Sequence, residues 1–249
     1  MPLQPDPPPG GDRRSRFAFV IPVYNHEQTV ADVVRRAMVF GWPVVVVDDG
    51  STDDSFGRIK GLPGVRVLRH RANRGKGAAL LSGFAKAAEL ADWAITLDAD
   101  GQHDPEDARA LVHALPQGGR PILVGRRTGM QAEAGVPWTS RFGRGFSNFW
   151  LRAAGGPAVA DSQSGFRIYP LPECMQLGVK AQRFQFEIEI LAKAAWKGMQ
   201  VLESPVSVSY RPGTPRISHF HPFFDFMRNF VMFSRLITFR VLTLKFIRD

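Results

Sequence analysis

Val44-Val-Val-Val-Asp-Asp-Gly-Ser-Thr-Asp53 is the stretch that decides the fold. Val44 to Val47 are all β-branched, so both faces of the strand are apolar. That is the mark of a central strand in a parallel sheet covered on both sides. Ser51-Thr-Asp53 then reads as a helix start, with Ser51 or Thr52 available as cap. Working outward, Phe17 to Val23 is a buried strand, and Glu27 to Phe40 has helical spacing through Val30, Val33, Val34, Ala37 and Met38. Downstream come a short strand over Val65–Leu68, an alanine-rich helix over Gly75–Ala91 and a strand over Trp93–Leu97. A helix over Pro105–Leu115 follows, with Pro105 at its first position, and then a strand over Pro121–Val124. Strands and helices alternate at the spacing of right-handed βαβ units, so the first half is an α/β, doubly wound parallel sheet. The second half is less regular. It carries a helix near Ser140–Ala154, a loop over Asp161–Gly165, a strand over Phe166–Tyr169, a helix over Phe184–Trp196 and an alternating strand over Gln200–Tyr210.

The 249 residues suffice for one sizeable domain, and 44% apolar with 22% charged residues is a globular composition. A single cysteine, Cys174, excludes internal disulfides and points to a reducing compartment. The formal charge of +9 suits phosphorylated ligands or an anionic membrane face. Nucleic acid is not expected, because no nucleic-acid-binding motif and no helix of base-reading polar residues is present. Residues 1–14 read as a proline-rich disordered tail rather than a signal peptide, and no apolar run is long enough to span a bilayer.

In such sheets, ligands bind beyond the carboxyl ends of the strands. Asp48, Asp49, Asp98 and Asp100 all fall there. Asp98-x-Asp100 places two carboxylates on one side of a strand end, which is costly unless a cation lies against them. A hard divalent ion carrying a diphosphate suits that pair. The other reading is a plain Asp-Gly turn. Asp48 and Asp49 can accept hydrogen bonds from a nucleobase and a ribose, or can simply turn the chain. Asn73-Arg-Gly-Lys-Gly77 is a glycine-flanked turn whose amides and Lys76 can face a diphosphate, or a tight turn alone.

Val20-Ile-Pro-Val-Tyr-Asn25, Val47-Asp-Asp-Gly-Ser-Thr-Asp53, the Asn73–Gly77 turn and Asp98-Ala-Asp-Gly-Gln102 occur in that order. Together they resemble family 2 glycosyltransferases of the GT-A fold. Asp161-Ser-Gln-Ser-Gly-Phe-Arg167, Phe186-Glu-Ile-Glu189 and Val201-x-Glu-Ser-Pro-Val206, leading to Tyr210-Arg-Pro-Gly213, are similar to the polyprenyl-phosphate branch typified by dolichol-phosphate mannosyltransferase. The resemblance covers roughly residues 16 to 220. It implies a single GT-A domain over 15–215 with a mostly parallel, Rossmann-like sheet. It also implies a nucleoside-diphosphate sugar as donor, Mg or Mn as cofactor and a polyprenyl phosphate or other lipid as acceptor. The resemblance places Pro22, Tyr24 and Glu27 at the base and ribose, and assigns the cation to Asp98, Asp100 and Gln102. Asp98 contacting the nucleotide while Asp100 holds the ion is the other partition. His103 reads as an exposed bystander. Asp161, Gln163 and Glu187 fall near the sugar and the reacting groups, and Arg127, Arg141 and Arg211 near phosphate, with Arg126 and Arg167 recurring on the same presumed face.

A phosphate nucleophile is anionic at neutral pH and needs no general base, whereas a hydroxyl acceptor needs one. The chain lacks the Gln-x-x-Arg-Trp motif of processive synthases, which favours phosphate. The expected chemistry is in-line displacement with inversion. The alternatives are transfer to another lipid or a hydroxylated small molecule, with Asp161 or Glu187 as base, and a non-catalytic scaffold that binds nucleotide sugar. The segment over 216–249 is rich in phenylalanine and dotted with Arg228, Arg235, Arg240 and Lys245. It reads as a helix lying on the anionic inner leaflet or packed on the domain. The expected location is cytoplasmic, peripheral at the inner membrane face.

Overall fold

The computed structural model describes residues 15–128, 138–208 and 222–246, with side chains over 16–128, 145–208 and 227–242. The expected tail over 1–14, the boundary at 215 and Arg211 lie outside the described residues. Among the described residues, seven strands form one sheet in the order β3-β2-β1-β4-β6-β5-β7: β1 Ser15–Val23, β2 Val44–Asp48, β3 Val65–Arg69, β4 Ala91–Thr96, β5 Ile122–Arg127, β6 Arg167–Pro170 and β7 Val201–Val206. β2 carries no exposed residue, as its two-faced apolar pattern requires. β1 lies parallel to both β2 and β4, and β2 to β3, so Val23, Asp48 and Thr96 end at one edge. β6 runs antiparallel to both neighbours, while β5 and β7 are parallel to each other.

The α-helices among the described residues cover the sheet: α1 Val30–Met38, α2 Ser55–Ile59, α3 Lys76–Ala87, α4 Asp107–His113, α5 Trp138–Ala153, α6 Phe186–Trp196 and α7 Pro222–Phe246. One face is sealed by α1 and α4 around Phe19, Ile21, Val46 and Ile95. On the other, α3, α5, α6 and α7 pack around Val20, Val45, Phe84 and Tyr169. Two core clusters on opposite faces of one sheet are the three-layer arrangement that a doubly wound chain produces.

Two local expectations are corrected. α2 begins at Ser55, not at a Ser51 or Thr52 cap, because the Ser51 hydroxyl accepts the Asn25 amide at 3.0 Å instead. Pro105 sits two residues ahead of α4, in a turn closed by the Ala108 amide donating to its carbonyl. α7 packs on the domain: Met232, Phe233 and Leu236 are buried, and Phe239 stacks on Trp196 at 5.6 Å. Its opposite side leaves Phe230, Val231 and Leu242 exposed. Among the described residues no helix is long and apolar enough to cross a membrane.

Candidate active site

The ends of β1, β2 and β4 are wired to one another before any ligand arrives. Asn25, in the left-handed region at φ 55°, accepts the Thr52 amide at 2.8 Å and so ties the loop after β1 to the loop after β2. Glu27 accepts the Asp54 amide at 2.9 Å, and the Thr29 hydroxyl donates to the Ala99 carbonyl at 2.6 Å. Pro22 is buried at the end of β1 and Tyr24 is half-buried beside it.

Asp48 and Asp49 are both buried, with different partners. Asp48 accepts the Ser51 amide through Oδ1, and its Oδ2 lies 2.9 Å from the Arg69 guanidinium, an ion pair without hydrogen-bond alignment. Arg69 is its register partner on β3. Asp49 instead braces the following turn, accepting the Arg74 amide at 3.0 Å, the Gly75 amide at 2.7 Å and contacting His70 at 2.6 Å. Gly75 has φ 103°, and a Cβ there would sit 2.5 Å from the Gln182 carbonyl oxygen. Only glycine allows the 73–77 turn to meet the segment that leads into α6.

Lys76 is the centre of the charge arrangement. Its ammonium lies 2.6 Å from Asp98 and 2.6 Å from Glu187. Burial opposes the charge on Lys76, yet the two carboxylates hold its pKa well above the usual value. Burial likewise works against the Asp98 charge, but Lys76 more than offsets it, and the Asp98 carboxyl is held low. Asp100 has no such partner. Burial and then the Asp98 charge push its carboxyl above the usual range, outweighing a backbone bond from Gln102 at 3.0 Å and weaker attraction to His103 and Lys76. Gly165 closes the other side, because a Cβ there would lie 2.4 Å from Asp98 Oδ2 and 2.6 Å from Lys76 Nζ. His103 is buried, not exposed, with its ring edge-on to Phe166 and Nδ1 lacking a partner among the described residues. Burial pushes its pKa down.

The second cluster joins Arg127 to Asp161 through two parallel bonds of 2.7 and 2.8 Å. Glu203 on β7 accepts the amides of Ala160 and Asp161, and Asn148 on α5 brackets the same loop. Gln163 donates to the Ser147 hydroxyl at 2.9 Å. Arg126 is exposed. Arg141 lies on α5, with its side chain outside the described residues, as is Arg211 entirely.

Arg167 is a correction. It is fully buried and donates to the carbonyls of Ser164, Glu187 and Ser162 and to the Tyr169 hydroxyl. With its donors spent on the loop, it cannot meet a phosphate. Glu189 faces away from Glu187, as helical spacing requires. It accepts the amides of Lys180 and Ala181 and pairs with Lys193 and Arg235. Arg69 and Asn148 escaped sequence reasoning, and Glu203 and Gly165 had no role of their own in it although both lie in motifs that carry the resemblance. The i-to-j register of β2 on β3 was the only available signal for Arg69.

Hard oxygen donors, a lysine between two carboxylates and an arginine clamp on a third make a site suited to anionic, diphosphate-bearing ligands. Among the described residues no three His, Cys, Asp or Glu side chains converge as a preformed metal cage. Residues 18–170 match the family model described as Glycosyl transferase family 2. A UDP-N-acetylglucosamine–dolichyl-phosphate N-acetylglucosaminyltransferase of Methanococcus voltae is 30% identical over 77% of this chain and 85% of its own. Polyprenol monophosphomannose synthase of Mycolicibacterium smegmatis is 26% identical over 79% of this chain and 78% of its own. Among solved structures, glucosyl-3-phosphoglycerate synthase of Mycobacterium tuberculosis, in complex with Mn²⁺, UDP and phosphoglyceric acid, aligns with a TM-score of 0.63. It does so at 20% identity, over 92% of this chain and 78% of that one. The expected GT-A fold is borne out by that likeness.

Proposed function

The chain belongs to glycosyl transferase family 2 and is a sugar-transferring enzyme, and on that premise we propose that it moves a sugar from a nucleoside-diphosphate donor to a polyprenyl phosphate. Relatives acting on dolichyl and polyprenol phosphates across most of the chain support the acceptor. One observation carries the nucleophile. Both carboxylates that could serve as a base for a hydroxyl acceptor are engaged by a cation, Asp161 by Arg127 at 2.7 Å and Glu187 by Lys76 at 2.6 Å. A carboxylate so paired must release its cation before it can take a proton from a hydroxyl, and an ionised phosphate needs no base.

The donor's base and ribose fit the ends of β1 and β2, against Pro22, Tyr24, Asp48 and the Arg69 beside it. A divalent cation fits at Asp98, Asp100 and Gln102, because among the described residues the half-buried Asp100 carboxyl has no ion pair such as Lys76 makes with Asp98. When bound, such an ion supplies Lewis-acid charge to the departing diphosphate. Lys76, at the start of α3, adds its own charge and the helix N-terminus on the same side. Arg127, Arg141 and Arg211 receive the acceptor phosphate, and Gln163 orients the sugar. Inversion follows from displacement by a nucleophile on the face opposite the diphosphate. Work on a lipid phosphate puts the protein at a membrane surface, with the exposed side of α7 toward it.

The test is transfer from labelled UDP-, GDP-, CDP- and dTDP-sugars, with Mn²⁺ or Mg²⁺, to undecaprenyl or dolichyl phosphate in detergent. The expected product partitions into organic solvent and releases its sugar in mild acid. An acid-stable glycoside formed on a non-phosphorylated alcohol refutes the proposal, as does absence of product with every donor.

A further inference from the structure

Beside the reaction centre, on the α6 and α7 side, lies a cavity of about 530 Å³ that the proposed chemistry does not use. Arg74 lines it from the turn before α3, Lys180 and Arg183 from the segment before α6, and Arg228 from α7. Among the described residues no carboxylate lines it. Gln185, 5% exposed, lies in the lining, and its Nε2 has no hydrogen-bond partner among the described residues. A buried amide N–H without a partner costs on the order of 1–3 kcal/mol, so a site that keeps one has an acceptor to receive there. Asn73 Oδ1 is likewise unpartnered among the described residues, and a half-turn of that amide offers a second N–H₂ donor.

We infer that this cavity binds the phosphate group of an anionic membrane lipid, at a place separate from the reaction centre. Arg74, Lys180 and Arg183, with Arg228 on the α7 side and a desolvated amide donor, offer charge-assisted hydrogen bonds to phosphate oxygens. The rim selects a lipid over a soluble phosphate. Phe184 projects from the same segment as Arg183, and Met227, Phe230 and Val231 flank Arg228, all of them exposed. An exposed apolar border around a cationic pocket is the surface that a headgroup and the first acyl carbons cover. The helix is held in register for this. Arg235, two turns beyond Arg228, pairs with Glu189 at 2.8 Å, and Glu189 also accepts the Lys180 and Ala181 amides. One buried carboxylate therefore fixes both walls of the pocket. The inference rests on the membrane-surface part of the proposed function, and it is read out without sugar transfer.

Co-sedimentation of the full chain with phosphatidylcholine vesicles containing phosphatidylglycerol, and with pure phosphatidylcholine, provides the test. The wild type is expected to bind the anionic vesicles only. Arg183→Gln with Arg228→Gln is expected to weaken that binding about thirty-fold, the loss expected for two cations at an anionic surface. Arg35→Gln with Arg66→Gln removes the same charge elsewhere and is expected to change it less than three-fold. Gln185→Leu keeps all charge and is expected to weaken binding several-fold with an unchanged Tm. Equal losses in the two double variants, or no effect of Gln185→Leu, reduce the attraction to diffuse charge and overturn the pocket. Stabilisation by inorganic phosphate without vesicle binding overturns the lipid assignment. Transfer in detergent with polyprenyl phosphate, measured separately, decides the proposed function whatever the vesicles show.

Discussion

Replacing Lys76 by methionine removes the ammonium and keeps most of the side chain's volume. Two carboxylates, each 2.6 Å from that nitrogen, are then left without their cation, and Asp100 stands close by. Removing one partner of a buried ion pair costs about 3–5 kcal/mol. The Lys76 and Glu187 side chains are 16% and 7% exposed, but Asp98 is 26% exposed and partly screened, so the lower figure of about 3 kcal/mol applies. For a chain of this size each kcal/mol moves Tm by roughly 2–4 °C, so Lys76→Met should melt roughly 6–12 °C lower in EDTA. Adding Mn²⁺ should raise the variant's Tm more than the wild type's, because the ion then meets carboxylates that no ammonium occupies. Glu187→Gln in the Lys76→Met background should restore at least about 1 kcal/mol by removing one stranded charge. A Lys76→Met protein melting within a degree of wild type in EDTA refutes the charge balance drawn here. An equal Mn²⁺ increment in both proteins refutes the sharing of carboxylates between ammonium and metal.

Gly165→Ala places a methyl 2.4 Å from Asp98 Oδ2, so side-chain ends must shift while the backbone need not. Turnover should fall about a hundred-fold with Tm nearly unchanged, since displacements near 1 Å carry that penalty. Arg167→Met strands the carbonyls of Ser162, Ser164 and Glu187, at about 1–3 kcal/mol each. Tm should drop by more than about 10 °C, and lysine, lacking the fork, should not restore it. Glu189 is fully buried, and the bonds from Lys193, Lys180 and Ala181 overcome desolvation and lower its pKa. A lowered folded-state pKa contributes stability above the unfolded value of 4.5 that is lost as pH falls through the folded one. Glu189→Gln should therefore cost roughly 2 kcal/mol at pH 7, and the gap to wild type in urea unfolding should narrow toward pH 3. A gap independent of pH counts against that assignment.

The strands of the first half were legible because their apolar patterns repeat a local rule, and Val44–Asp48 has the bounds the sequence gives it. The direction of β6 was not legible. Its four residues are buried on both faces, a pattern compatible with either orientation, and only pairing with β4 and β5 sets it antiparallel. The site followed the same division. Sequence names Lys76 and Glu187, 111 residues apart, and Arg127 and Asp161, 34 apart, but local spacing cannot say that they meet. It also cannot tell a guanidinium facing solvent from one spent on carbonyls, which is how Arg126 and Arg167 came to look alike. His103 was misplaced for a related reason: the Phe166 ring that covers it comes from another strand's approach.

Sequence left open which member of Asp98-x-Asp100 meets the nucleotide and which the ion. The structure makes the two inequivalent. Asp98 is stabilised as a carboxylate by Lys76, so neutralising it deprives the ammonium of a partner. Asp100 is charged at a cost, raised by burial and by Asp98, which the Gln102 amide and the weaker pull of His103 and Lys76 do not offset. Asp98→Asn should therefore lower Tm in EDTA, while Asp100→Asn should leave it unchanged or raise it, because the amide oxygen still accepts from Gln102 and a buried like charge is gone. In Mn²⁺ the order should reverse: Asp100→Asn loses more of the metal-dependent rise, having given up the carboxylate with the most to gain from a cation. Melting curves of both variants, with and without Mn²⁺, read all four values. Shifts of the same sign in EDTA would mean that Lys76 does not divide the pair.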